Sequence, residues 1–196
     1  MLCVQFLPVL YYDSLRSSNC SVYDSKFIYI NNLLFREVFI LKTNKKLLFL
    51  CIALPLLVGI TAGLLTRDSM STFSILSKPP LAPPAILFPI VWTLLYTLMG
   101  ISSYLVLSSG KNQEDITTAL IVYLLQLAIN FFWSIFFFNL EWYLFAFFFL
   151  ILLWVFIRKT IQLFYPLSKT AAYLMIPYLL WVTFAGYLNL GIYLLN

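Results

Sequence analysis

From residue 47 onward the chain alternates long apolar runs with short polar breaks, and no run shows the every-other-residue pattern of a half-buried strand. The runs cover residues 47–65, 85–107, 116–138, 142–157 extended to about 164, and 171–195. Each has roughly the 20 residues a helix needs to cross about 30 Å of hydrocarbon. Continuous apolarity selects helices over a barrel, whose strands alternate. The pattern predicts an all-α membrane protein, a bundle of five transmembrane helices spanning 47–196. The breaks are a Ser- and Pro-rich loop at 66–84, a polar turn at 108–115, a tight connection at 139–141 and a loop holding Pro166 and Lys169.

Residues 1–46 differ from the rest. Their apolar stretches are short and interrupted by Arg16, Lys26, Arg36, Lys42, Lys45 and Lys46. They read as an N-terminal extension, flexible or interfacial, with 27–41 as a candidate surface helix. No signal-peptide pattern with a small-residue cleavage site is present. A translation start later than Met1 is the other reading, and N-terminal sequencing of the expressed protein separates the two.

Composition agrees with lipid as the main solvent: 63% of residues are hydrophobic and 10% charged, against about half and a quarter in soluble domains. The net charge of +5 does not point to nucleic acid, because Lys and Arg fall between apolar runs rather than on one basic face. They report topology instead. With a cytoplasmic N-terminus, Lys42, Lys45, Lys46, Lys111, Arg158, Lys159 and Lys169 lie inside, and only Arg67 and Lys78 outside. The positive-inside rule therefore predicts N-in, C-out, and a bacterial cytoplasmic membrane is the expected location.

The chemistry is restricted. The chain has no His, which removes the commonest metal ligand and general base. Cys3, Cys20 and Cys51 form no CxxC pair, so neither a metal site nor a resident cofactor is expected. No Asp, Glu, Lys or Arg falls inside the cores of the five runs, which disfavours proton relays and ion-coupled transport. The polar residues that remain are spaced as helix faces. Gln126, Asn130 and Trp133 share one face of the third run, Trp92 and Tyr96 one face of the second, and Trp181, Ala185 and Leu188 one face of the fifth, with Asn189 adjacent. Converging, they make a cavity with aromatic walls, amides and a notch at Ala185, suited to a large planar apolar ligand. The alternative is plain packing, with the amides bonding neighbouring helices for about 0.6 kcal/mol each. Trp142 is read as part of an interfacial belt. Trp154 has no polar companion in the pattern and reads as packing or lipid-facing.

Two further motifs stand out. Gly59–Gly63 is a GxxxG, either a dimer face or an intramolecular contact. Ser77-Lys78-Pro79-Pro80-Leu81-Ala82-Pro83-Pro84 is stiff and extended, and directly before an apolar helix it reads as a lid over the bundle mouth.

Lys78-Pro79, Pro83-Pro84, Trp92, Leu95-Tyr96 and Met99-Gly100 match without a gap the K-P-x-x-x-P-P-(x)7-W-x-x-L-Y-x-x-M-G pattern of the TspO/MBR family, once called peripheral-type benzodiazepine receptors. Gln126 to Asn130 with Trp133, and Pro177-Tyr178, Trp181, Phe184-Ala185 and Leu188-Asn189, extend the resemblance across 47–196. The resemblance implies a five-helix bundle, often a homodimer, binding porphyrins such as protoporphyrin IX, haem, sterols or benzodiazepine-like compounds. It implies ligand contacts at Ala62, Phe88, Trp92, Tyr96, Gln126, Asn130, Phe145, Trp181 and Ala185, beneath a lid of Lys78, Pro79, Pro83 and Pro84. It also leaves open light-dependent porphyrin degradation, for which Trp92 and Trp181 match the implicated tryptophans, and passive transport of an apolar solute. Three positions depart from the family: Thr72-Phe73 replaces a Trp before the Lys-Pro pair, Phe149 replaces a carboxylate, and Leu190 and Leu194 replace the Tyr and Arg of a sterol-associated pattern. That last departure shifts the expected ligand from sterols toward tetrapyrroles. The expected partners are thus the lipid bilayer, a porphyrin-like small molecule and a second copy of the chain.

Overall fold

The computed structural model describes residues 44–67, 69 and 75–196. The expectations for 1–43, including the surface helix at 27–41, Cys3 and Cys20, and for Thr72-Phe73, lie outside the described residues. Among those described, five helical stretches are long and apolar enough to cross a bilayer. They are α1 (Lys45–Leu65), α2 (Leu87–Leu107), α3 (Gln113–Ser134) prolonged by a π turn (Ile135–Asn139), α4 (Tyr143–Phe164), and a last stretch made of α5 (Lys169–Leu174) and α6 (Ile176–Leu195).

Helix ends follow local polar chemistry rather than hydropathy. α1 begins two residues before its apolar run because the Asn44 side chain accepts from Leu47 N–H at 3.2 Å. Asn112 likewise accepts from Glu114 N–H at 3.2 Å. Glu114 and Asp115 then occupy the first turn of α3, where the helix dipole favours acids. Gly110, at φ 64°, ends the preceding turn in the left-handed region that glycine enters without steric cost.

Two features differ from the hydropathy reading. The third stretch unwinds into a wider π turn at 135–139, closed by Leu140 N–H donating to Ile135 O at 3.1 Å. The fifth stretch is broken at Met175, since Pro177 has no N–H to continue the ladder. Ser102 Oγ donates to Ala171 O at 2.8 Å and satisfies a carbonyl at that break. The fourth helix runs unbroken to Phe164, as its apolar run extended to about 164, and it carries Arg158 and Lys159 in its last two turns.

Large apolar side chains such as Phe49, Leu57, Phe148 and Leu180 point outward, while Gln126, Asn130, Ser102 and Asn189 are buried. Lipid tails reward no sorting of leucine inward, so polar groups and close backbones hold the bundle instead. α1 packs on α2, α4 lies between α3 and α6, and α5 rests on α2 and α4. At the α1–α2 contact, a Cβ added to Gly100 would lie 2.5 Å from Ile52 Cα, so only glycine allows that approach.

Candidate functional site

A cavity of about 380 Å³ lies among α1, α2, the end of α3 with its π turn, and α6, under the 78–83 loop. That size is within the range of small-molecule sites. Its central side chain is Trp92. The indole stacks on Tyr96 with ring centroids 5.4 Å apart, lies 6.5 Å from Trp133, and meets Tyr178 edge-on at 6.1 Å. Trp133 in turn stacks on Phe137 at 5.4 Å. Trp92 and Tyr96, and Trp133 and Phe137, are each four residues apart, so one helix face presents each pair. The π turn follows Trp133 at once and brings Phe137 and Phe138 into the lining.

Two amides position this wall. Tyr96 Oη donates to Asn130 Oδ1 at 3.1 Å, and Asn130 Nδ2 donates to Tyr178 Oη at 2.6 Å. Asn130 thus sits behind the aromatics and joins α2, α3 and α6. Trp133 Nε1 donates to Asn189 Oδ1 at 3.3 Å, and Asn189 Nδ2 donates to Tyr143 O at 2.8 Å. This second amide faces the cavity and also anchors the start of α4.

The loop is latched onto α6. Ser77 N–H donates to Asn196 Oδ1 and Asn196 Nδ2 returns a bond to Ser77 O, both at 3.0 Å. Tyr187 Oη donates to Pro80 O at 2.8 Å. Pro79 fits against Gly191 so closely that a Cβ there would come within 2.6 Å of its ring. The tip turns with Ala82 N–H donating to Pro79 O at 3.3 Å, which leaves exposed Leu81 at φ 68°, a strained place for a branched residue.

Of the residues singled out from sequence, Ala62, Phe88, Trp92, Tyr96 and Ala185 line the cavity, as do Lys78, Pro79 and Pro83. Others stand elsewhere. Asn130 is behind the wall, and Gln126 is fully buried one turn away with neither amide atom hydrogen-bonded. Trp181 packs edge-on against Phe88 at 6.0 Å, outside the lining. Phe145 is about half exposed on the outer face, stacked on Phe149 at 5.9 Å. Pro84 accepts from Leu87 N–H at 3.0 Å and starts α2. Trp154 does have a polar companion, contrary to the sequence pattern: its Nε1 donates to Thr183 Oγ1 at 2.9 Å. Sequence reasoning missed Gly59, Gly63, Phe137 and Phe138 as lining residues. The GxxxG spacing of Gly59 and Gly63 was the available signal for the first pair; nothing in hydropathy marks the π turn that delivers the second. Among the described residues no group of three His, Cys, Asp or Glu converges as a metal site.

Fold and cavity together define a multi-pass helical membrane protein with an aromatic-lined cavity. Residues 51–195 match the model of the TspO/MBR family, and the chain belongs to that family. It is 39% identical over 156 residues to tryptophan-rich protein TspO of Chlorobaculum tepidum, covering 78% of this chain and 99% of that protein. It is 35% identical over 137 residues to the tryptophan-rich sensory protein of Cereibacter sphaeroides (69% and 82% covered). With translocator protein 2 of Canis lupus familiaris it shares 36% over 135 residues (67% and 78%).

Proposed function

We propose that the protein binds a planar apolar tetrapyrrole, protoporphyrin IX or haem, in this cavity and acts as a sensor, carrier or scavenger. The observation that carries the reading is the placement of Trp92: an indole on the cavity wall, braced by Tyr96, Trp133 and Tyr178. A flat ring system gains most from such a braced aromatic face. Asn189 supplies one polar contact, and Lys78 at the loop suits the acidic substituents of a porphyrin. The names of the relatives, a sensory protein and a translocator protein, fit a sensor or a transporter equally. We extend the reading to a homodimer in a bacterial cytoplasmic membrane, N-terminus inside and C-terminus outside.

Titrating protoporphyrin IX into purified protein, with the Soret band as readout, tests the ligand class. A saturable shift that excess cholesterol does not reverse supports the reading. A linear response, or full displacement by cholesterol, counts against it. A C-terminal reporter fusion active only outside the cytoplasm tests the orientation.

A further inference from the structure

Arg158 is a charge the pocket does not use. It lies on α4 six residues before the helix end at Phe164, so its Cα is about 9 Å inside that end at 1.5 Å per residue. Its guanidinium stands 5.9 Å from the centroid of the Trp154 ring, one turn deeper in the span. The Trp154 ring is itself fixed, because its Nε1 donates to Thr183 Oγ1 at 2.9 Å and Thr183 Oγ1 donates to Leu179 O at 2.8 Å. The cation is therefore held over an aromatic face on the seam between α4 and α6.

That seam faces outward. Arg158 and Thr183 are exposed, and so are Ile151, Val155 and Leu180 around them. No described carboxylate pairs with Arg158. Glu114 and Asp115 belong to the first turn of α3, at the same end but on another helix, and Glu141 precedes the other end of α4. A guanidinium within a span needs an anion or a polar partner, and its planar fork matches a phosphodiester with two parallel bonds. Lys159 is exposed beside it, and Lys169 stands 5.8 Å over the Tyr165 ring at the same end of the helix.

The geometry points to a site for one anionic phospholipid on the α4–α6 seam, its phosphate on Arg158 and an acyl chain along Trp154, Thr183 and Leu180. Charge decides the occupant: Arg158, Lys159 and Lys169 outnumber Glu114 and Asp115 at this end and no acid lies on the seam, which selects a net-negative headgroup over a zwitterionic one. The site is separate from the cavity, whose lining contains none of these residues.

The test uses the purified full chain in mixed micelles with equal amounts of phosphatidylglycerol and phosphatidylcholine of the same acyl chains, with retained lipid counted by native mass spectrometry. Wild type should keep one phosphatidylglycerol in preference to phosphatidylcholine, and Arg158→Gln should lower that preference about tenfold. Arg158 is exposed, so the variant should keep its helical circular dichroism. In a second readout, phosphatidylglycerol with brominated chains should quench wild-type fluorescence more than brominated phosphatidylcholine. The excess should vanish in Trp154→Phe. Equal retention of both lipids by wild type, an unchanged preference in Arg158→Gln, or displacement of the lipid by millimolar inorganic phosphate would each overturn the proposal.

Discussion

Gly59 and Gly63 belong to one GxxxG motif, yet they meet different surroundings, and substituting each by alanine should have opposite effects. A Cβ on Gly59 would run into the Tyr96 ring, 2.6 Å from Cδ2 and 3.0 Å from Cζ. Ordinary carbon contacts are about 3.5–4.0 Å, so the ring must retreat by roughly 1 Å. It has little freedom to do so, since its hydroxyl is bonded to Asn130 and its face is stacked on Trp92. Overpacking of this kind costs about 1–3 kcal/mol, and the gain from placing alanine in a helix offsets about 1. The net expectation for Gly59→Ala is a loss of up to about 2 kcal/mol, a fall of several degrees in Tm at about 2–4 °C per kcal/mol. Around Gly63 nothing lies within 4 Å, so Gly63→Ala should keep Tm or raise it. Thermal unfolding in detergent followed by tryptophan fluorescence, with light scattering for oligomeric state, reads both. Gly59→Ala matching wild type while Gly63→Ala is destabilised and monomerised would refute the reasoning and assign the motif to a face between copies.

Asn130→Leu fills the same space but strands the Tyr96 and Tyr178 hydroxyls, each fully or nearly buried. It should cost about 1–3 kcal/mol in thermal unfolding and weaken porphyrin binding, although Asn130 does not line the cavity; unchanged affinity would show that the aromatic wall needs no such brace. Tyr187→Phe removes the hydroxyl bonded to Pro80 O and should speed porphyrin release severalfold in stopped-flow displacement, with little change in Tm. An unchanged release rate would mean that the loop does not gate the cavity. Leu81→Gly relieves a positive φ and should raise Tm slightly; a fall would show that the exposed leucine is held by a contact that the turn geometry does not suggest.

The five spans were legible because a membrane helix must be apolar along its whole length, and Trp92, Tyr96 and Trp133 because a four-residue or shared-face spacing survives any bundle arrangement. Partnership was not legible. Spacing puts Gln126 and Asn130 on the inner face of α3, but only the packed bundle shows that Asn130 binds two tyrosines and that Gln126 binds nothing. Phe145 faces outward and Trp181 falls beside the cavity because the rotation of α4 and α6 about their axes is set by contacts with α3 and with Phe88, which hydropathy does not encode. The π turn, made of Ile-Phe-Phe-Phe-Asn, has no apolar signature distinct from a helix. It is marked only by Asn139, whose Nδ2 donates to Leu65 O at 3.0 Å, closing the end of α1.

The central claim is that a planar tetrapyrrole lies against Trp92. Protoporphyrin IX titrated in the dark should quench intrinsic tryptophan fluorescence saturably at about one ligand per chain. Trp92→Phe should weaken the apparent affinity roughly tenfold or more, the scale of an aromatic pair with its buried area, while Trp154→Phe should not. Quenching that never saturates, or an affinity unchanged by Trp92→Phe, would contradict the account.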